Sequence, residues 1–306
     1  MPSFKRFVTK GFIFLVCFAF IDIVLGKSII WMSLNAKGGD YGKCRYVCFE
    51  SDEECLIFGS SRVHCHYNPQ ILSDSLKFSC FNCGRDGAGI IQNYGKIRLV
   101  EDRRSPKLII YDVFPIVDIL THCDNHRDLD LLRLYSDNDK IRNIVCQVDS
   151  SEELKMNSNL YRVNGKYHNI IKDYILRIPL NEYNGFLANN SKFDSLRINK
   201  IPQYKLEFDS IKISYLRKMV AERGPSRIIF VVSPIWYGMN SKELEPLRQL
   251  CKENNLPLID FSDNPKYLHH DEFFYDGAHL NAKGADEFTK DLVSCLKHID
   301  GIYGKD

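Results

Sequence analysis

Short apolar runs recur along the chain and alternate with segments of helical periodicity. Gly, Pro or Ser closely follows each run, as happens where a buried strand enters a turn. The runs predict five strands, at Cys55–Phe58, Lys77–Asn82, Lys107–Val113, Arg227–Val232 and Pro257–Phe261. The intervening patterns predict helices at Pro69–Leu76, Ile90–Leu99, Ser210–Glu222, Glu243–Asn254 and Ala282–Ile299. This alternation predicts an α/β fold, a three-layer α/β/α sandwich with about five parallel strands of flavodoxin-like type.

A polar stretch separates the third predicted strand from the fourth. Residues 115–208 are rich in Asn, Asp, Tyr and Lys, and only the surroundings of Leu129–Leu134 have a clear helical pattern. We expect a helical insertion or lid within one domain that covers residues 41–299. The predicted sheet is therefore built from the two flanking parts of that domain.

The N-terminus carries a longer apolar run than any predicted strand. Three basic residues precede the run Gly11–Gly26, which Asp22 interrupts. A membrane-spanning helix needs about 20 apolar residues, and basic flanks favour the cytoplasmic side. We expect a transmembrane anchor at residues 11–32 after a cytoplasmic segment at 1–10, with the rest of the chain outside. A cleaved secretory signal peptide is the alternative, although its usual small-residue cleavage site is absent.

Composition excludes some partners and leaves others open. The 306 residues are 44% hydrophobic and carry 41 basic and 39 acidic side chains, so no charge excess indicates nucleic-acid binding. The 11 cysteines cannot all pair within one chain, and no spacing completes a zinc site. We interpret most of them as small buried hydrophobic residues, with a disulfide near the start of the exported domain as an alternative.

Two motifs lie where a parallel sheet places ligands, after the carboxyl ends of its strands. Gly59-Ser60-Ser61 follows the first strand and exposes a serine that needs a base to become a nucleophile. Asp276 precedes His279 by three residues, so one loop can bring its carboxylate to Nδ1 and leave Nε2 for a serine. Taken singly, each motif is weak evidence for a catalytic site, because an ordinary turn accounts for it better.

Together these motifs resemble the ordered sequence blocks of the SGNH, or GDSL-like, hydrolase superfamily. The resemblance covers roughly residues 55–113 and 227–299 and includes the segment Asn82–Gly87 after the second strand. It implies that Ser61 is the nucleophile, Asp276 the acid and His279 the base. Ser60 occupies the place where the family motif usually has Asp.

The resemblance also implies an oxyanion hole, with the Ser61 N–H as one donor and a glycine N–H after the second strand as another. Gly87 matches that glycine best, and Gly84 is the second candidate. The family's third donor, an Asn after the third strand, is absent from Tyr111–Pro115. A group from the insertion replaces it, or the chemistry is slow or altered, because loss of one donor costs roughly 100- to 1,000-fold in turnover.

A Gly-Ser-Ser-Arg motif makes the chain similar to a membrane-anchored bacterial branch of the superfamily that modifies cell-surface polysaccharides. Arg62 then orients an anionic group of the substrate or pairs with a nearby carboxylate. After the fourth strand, Trp236 and Tyr237 line a sugar or acyl pocket or cap the core.

The resemblance implies a membrane-anchored serine esterase that acts on O-acyl groups, acetyl above all, of a cell-envelope glycan. We expect it in the bacterial inner membrane with the catalytic domain outside the cytoplasm, and we expect no metal and no cofactor. One alternative is a polysaccharide O-acetyltransferase working with a membrane-bound acyltransferase partner. The other is a catalytically inactive, glycan-binding or accessory module.

Overall fold

The computed structural model describes residues 2–176, 184–194, 205–224 and 226–299. Parts of the expected insertion, at 177–183 and 195–204, lie outside the described residues. The chain divides into two compact units, one from 1–45 and 129–179 and the other from 46–128 and 180–306. The second of these units contains the sheet.

The sheet is parallel, with five strands in the order β2-β1-β3-β4-β5. The strands are β1 Cys55–Phe58, β2 Cys80–Asn82, β3 Leu108–Asp112, β4 Arg227–Val232 and β5 Leu258–Asp260. The predicted α/β fold class and all five predicted strands are therefore confirmed. β2 begins three residues later than predicted because Lys77 adopts a left-handed conformation, φ 61°, that ends the preceding helix.

Helices cover both faces of the sheet, which is why the inner strands are mostly apolar. Their charged residues are at strand ends, Asp112 as the last residue of β3 and Arg227 as the first of β4. On one face, side chains such as Ile57 and Ile110 share a buried cluster with Leu72, Phe288 and Leu292. The sheet unit contains the helices α4 Ser61–His66, α5 Pro69–Leu76, α6 Ile90–Glu101, α7 Pro115–Asp118, α13 Ser210–Ala221, α14 Glu245–Glu253 and α15 Ala282–Leu296, and 3₁₀ turns at Ser241–Leu244 and Asp271–Phe273.

In the described residues of the first unit, the regular elements are all helices, joined by short turns. It contains α1 Pro2–Ile21, a π-helical turn Asp22–Gly26, α2 Lys27–Leu34, a 3₁₀ turn Arg133–Tyr135, α9 Asp139–Val148, α10 Glu152–Lys155, α11 Asn159–Arg162 and α12 Tyr167–Leu176. Two further helices, α3 Gly39–Phe49 and α8 His126–Leu132, contain the points where the chain passes between the units.

The N-terminal helix is long and apolar enough from Ser3 to Leu34 to cross a membrane, a test that a signal sequence also passes. Its first part exposes large apolar side chains, such as Phe12 at 66%. Asp22 is buried despite its charge. Its carboxylate accepts hydrogen bonds from the Ser158 hydroxyl and from the backbone N–H groups of Asn159 and Leu160. The acidic residue that interrupts the apolar run thus ties the helix to the start of α11.

Replacing Asp22 with Leu is expected to lengthen the apolar run and to loosen the first unit. The N–H groups of Asn159 and Leu160 are partly buried and lose their acceptor, at a cost near the lower end of the about 1–3 kcal/mol for buried groups left without partners. Hydrogen exchange of the full chain in detergent is expected to show about tenfold faster exchange at these two amides. Thr9→Val is the control, since the Thr9 hydroxyl bonds only within its own helix. Unchanged exchange in Asp22→Leu would contradict this role.

Candidate active site

The residues that the sequence singles out converge at one edge of the sheet. Ser61 starts α4 after β1, Gly87 lies in the turn after β2, and the loop that holds Asp276 and His279 precedes α15. In a parallel sheet the carboxyl ends of neighbouring strands open onto the same edge, so residues far apart in sequence become neighbours.

Ser61 and His279 are hydrogen-bonded. The Ser61 Oγ lies 2.8 Å from the His279 Nε2, although the residues are 218 positions apart. Ser61 is partly exposed, whereas Ser60 is buried and its hydroxyl accepts the Arg62 N–H as the cap of α4. The serine that faces the histidine is therefore the second of the pair.

Asp276 holds His279 within a single loop. Its carboxylate lies 3.0 and 3.1 Å from the His279 Nδ1 and accepts the backbone N–H groups of Ala278 and His279, each at 2.8 Å. Burial disfavours the charged carboxylate, but His279 and these N–H donors outweigh it and hold the pKa of Asp276 below its ordinary value. With the carboxylate at Nδ1, the lone pair of Nε2 faces the Ser61 hydroxyl, the arrangement that general-base catalysis needs.

The two candidate glycines differ in where their N–H groups are used. Gly84 donates its N–H to the Asn82 side chain at 3.0 Å and does not line the cavity next to Ser61. Gly87 does line it, and within the described part of the chain the N–H groups of Gly87 and Ser61 have no hydrogen-bond partner. Gly87 is thus the geometrically better donor of the two.

The end of β3 provides no third donor. The Asp112 carboxylate points into the protein and accepts hydrogen bonds from the Tyr67 hydroxyl and from the backbone and hydroxyl of Ser233. Burial raises the pKa of Asp112, against the opposing effect of Arg62 and these donors. The following residues that reach the cavity, Phe114 and Ile116, are apolar. The residues directly after β3 therefore supply no side-chain donor in place of the Asn that the sequence lacks.

Arg62 lies beneath the cavity and not in it. Its side chain is fully buried, donates to the Ser233 hydroxyl at 3.0 Å from Nε, and approaches the Asp112 carboxylate at 3.7 Å. The guanidinium also lies 4.8 Å from the centre of the Phe114 ring. Of the two roles left open for Arg62, this geometry favours the partner of a carboxylate.

His66 connects this buried network to the His279 loop. Its Nε2 accepts the backbone N–H of Leu280 at 3.0 Å, so its proton sits on Nδ1, which donates to the Ser233 hydroxyl at 2.9 Å. Burial, and after it the positive charge of the neighbouring Arg62, lowers the pKa of His66 well below its ordinary value. A neutral His66 therefore fixes the residue that directly follows His279.

A cavity of about 460 Å³ opens beside Ser61 and His279. Its walls are largely apolar and aromatic, and Tyr237 lines it while Trp236 does not. Trp236 instead stacks on Phe193 and donates its indole N–H to Asp271 at 2.8 Å. The further lining residues are Ser60, Cys65, Asp86, Gly87, Phe114, Ile116, Val117, His122, Cys123, Arg127, Leu187, Tyr275 and Ala278. This space suits an acyl group together with part of its alcohol.

Several of these residues could not be predicted from the sequence. Phe114, His122 and Arg127 belong to the segment after β3, where no motif marks them. The one signal in the sequence is the absence of an Asn after β3. It indicates that another residue takes the place of that Asn, but not which residue does so. The cysteines form no disulfide, and seven of the eleven are buried, in keeping with the interpretation as small hydrophobic residues.

Comparison with known proteins gives only remote similarities. No protein-family profile and no curated protein sequence matches the chain. Among solved structures, it is similar to a gut microbial diltiazem-metabolizing enzyme, with 10% identity over 81% of this chain and 48% of the other, and a TM-score of 0.41. The chain thus spans about half the length of that enzyme.

Two further structures are comparably distant. One is a carbohydrate esterase described as having divergent catalytic and non-catalytic binding functions in its active site, at 9% identity over 83% of this chain and 68% of the other, TM-score 0.39. The other is a carbohydrate acetylesterase family member from Sinorhizobium meliloti, at 10% identity over 82% and 99%, TM-score 0.39. Such values carry no argument about activity, and the fold class rests on the sheet topology itself.

Replacing His66 with Leu is expected to destabilise the chain by about 1–3 kcal/mol, because the Leu280 N–H and the Ser233 hydroxyl lose a buried partner. Chemical denaturation measures this change. The lowered pKa means that His66 stabilises the fold above its unfolded pKa of about 6.5, and that this stability is lost as pH falls. The stability difference between the wild type and His66→Leu should therefore shrink below about pH 6.5.

His64→Leu is the matched control for this experiment. His64 lies two residues away and pairs with the exposed Asp86 at 3.2 Å, so its loss is expected to cost less than about 0.5 kcal/mol. Equal losses for the two histidines, or a difference independent of pH for His66→Leu, would contradict the role assigned to His66.

Proposed function

We propose that this chain is a serine ester hydrolase of SGNH type, with Ser61 as nucleophile, His279 as general base and Asp276 as its orienting acid. The observation that carries the proposal is the 2.8 Å hydrogen bond from Ser61 to His279, with Asp276 on the other ring nitrogen. A serine in an ordinary turn needs no histidine at this position. The open cavity beside the pair leaves room for an ester.

The reaction proceeds in two steps. His279 Nε2 takes the Ser61 proton as Oγ attacks the ester carbonyl carbon, and the N–H groups of Ser61 and Gly87 stabilise the negative oxygen. His279 then protonates the departing alcohol, which leaves an acyl group on Ser61. A water molecule, deprotonated by His279, attacks that carbonyl, and collapse releases the carboxylic acid and restores the serine.

The substrate that we propose is an O-acylated glycan of the bacterial cell envelope, with acetyl as the acyl group. The N-terminal helix supports attachment to a membrane, and the basic residues before its apolar run favour the inner membrane with the sheet unit outside the cytoplasm. An anchored hydrolase of this kind meets polymeric substrates at the membrane surface.

A non-catalytic glycan-binding or accessory module is the second candidate, and one observation favours it. The end of β3 turns Asp112 inward and contributes only apolar side chains to the cavity. An oxyanion site with a missing donor is expected to be about 100- to 1,000-fold slower. The hydrogen-bonded Ser61, His279 and Asp276 favour the enzyme.

Labelling of the full chain in detergent with a fluorophosphonate probe separates these candidates. The wild type is expected to be labelled at Ser61, and Ser61→Ala is expected to lose the label and to hydrolyse aryl acetates at the background rate. Asp276→Asn should lower kcat by about 10⁴-fold, because the asparagine side chain does not hold His279 in the required tautomer. Ser294→Ala, at an exposed position on α15, is the matched control.

Absence of Ser61-dependent labelling in a folded sample would contradict the enzyme and favour the binding module. If the wild type is labelled, aryl acetates with and without glycan acceptors divide hydrolysis from transfer. Release of free acetate at an unchanged rate supports the hydrolase, whereas acetylated glycan as the main product supports the O-acetyltransferase.

A further inference from the structure

Arg127 lines the cavity, and the reaction proposed above leaves it without a role. It belongs to α8, in the segment that follows β3, and its side chain is exposed. Within the described part of the chain, no carboxylate or carbonyl pairs with its guanidinium. A permanently charged group with unused donors therefore opens onto the same space as Ser61.

The guanidinium packs directly against Gly87. A Cβ at Gly87 would overlap the Arg127 side chain, and Gly87 has a φ of +70°, which a residue with a side chain rarely adopts. Glycine at this position thus serves two purposes, because it permits the turn and leaves space for the arginine. The charge of Arg127 lies next to the backbone N–H that we assign to the oxyanion.

The neighbouring residue fixes Arg127 at this place. Asp128 is buried, and its carboxylate accepts the backbone N–H groups of Gly89 at 2.7 Å and Ile91 at 3.1 Å at the start of α6. These bonds tie α8 to the turn that contains Gly87. Burial raises the pKa of Asp128 to about 6, against the opposing effect of these donors. Because Asp128 directly follows Arg127, these bonds also hold the backbone of Arg127 beside the turn.

The site also lacks the group that Arg127 could supply. Two backbone N–H groups remain for the oxyanion, and the residues that reach the cavity directly after β3 are apolar. A guanidinium donor is charged, so its hydrogen bond to a negative oxygen is stronger than that of a neutral amide. His122 also lines the cavity, but the three atoms nearest to a Cβ at Gly87 all belong to the Arg127 guanidinium group.

We propose that Arg127 is the third oxyanion donor of this site and replaces the asparagine that the sequence lacks. Its guanidinium donates a hydrogen bond to the ester carbonyl oxygen as that oxygen becomes negative in each of the two steps, and no proton is transferred. The inference rests on the proposed function. It assigns a catalytic residue to a segment that resembles no motif.

Arg127→Ala in the full chain in detergent tests the proposal with p-nitrophenyl acetate, a neutral ester. The expected result is a fall in kcat of about 100-fold with KM changed by less than about threefold, because the donor acts on the developing charge. Arg127→Lys should lose less, about tenfold, since it keeps the charge but not the planar fork of donors. Added guanidinium ion is expected to restore part of the kcat of Arg127→Ala, which a structural defect would not allow.

Arg217→Met is the matched control, since Arg217 is an exposed arginine on α13 within the same unit. It should leave kcat, KM and the response to guanidinium unchanged. Ser61→Ala is measured beside it. An unchanged kcat in Arg127→Ala, with wild-type activity that depends on Ser61, would overturn the inference and leave the proposed function intact.

Two other outcomes also overturn the inference. If Arg127→Ala raises KM only for esters that carry a carboxylate or phosphate, Arg127 binds an anionic group of the substrate and not the oxyanion. If the wild type shows neither hydrolysis nor fluorophosphonate labelling at Ser61, the proposed function fails and Arg127 has no oxyanion to stabilise. Only a loss of kcat on the neutral ester, with rescue by guanidinium, supports the proposal.

Discussion

The hydrogen bond between Ser61 and His279 depends on how firmly two distant parts of the chain are held together. The residues are 218 positions apart, and their side chains meet only because β1 and the loop before α15 open at the same edge of the sheet. A bond of 2.8 Å requires that neither side moves by more than a few tenths of an ångström. The buried groups beneath the site provide that rigidity.

Those buried groups form a chain of hydrogen bonds from the sheet to the loop that holds Asp276 and His279. Asp112 at the end of β3 binds Ser233 after β4, Ser233 binds His66 on α4, and His66 binds the backbone of Leu280. Arg62, which directly follows Ser61, places its positive charge near the Asp112 carboxylate. Buried polar groups are costly without partners, so the paired groups of Asp112, Ser233 and His66 favour one arrangement of the loop over others.

The fold and part of the candidate site could be predicted from the sequence. Apolar runs and turn residues identified the five strands, because burial on both faces leaves a strong pattern in a parallel sheet. Ser61, Asp276 and His279 could be singled out because their motifs, taken together, resemble the ordered blocks of the SGNH superfamily, whereas each motif alone fits an ordinary turn. The structure brings all three together, as it also brings Gly87 to the cavity.

Other parts of the site left no such pattern. For Arg62 the sequence left two roles open, orienting an anionic group of the substrate or pairing with a carboxylate, since a buried partner such as Asp112 cannot be identified from the sequence. Arg127 depends on the path of the chain after β3 and on the bonds of Asp128 to α6, neither of which has a periodic signature. The N-terminal run could be recognised by its length, whereas the contacts of Asp22 with Asn159 depend on tertiary packing.

Direct detection of the acyl-enzyme tests the central claim most closely. The full chain in detergent is mixed with an excess of an aryl acetate, quenched in acid within milliseconds to seconds, and digested for mass spectrometry. If Ser61 is the nucleophile, the peptide that contains it gains the mass of one acetyl group, and His279→Ala abolishes that gain. Acetylation confined to lysines, equal in the wild type and His279→Ala, would contradict a serine hydrolase at this site.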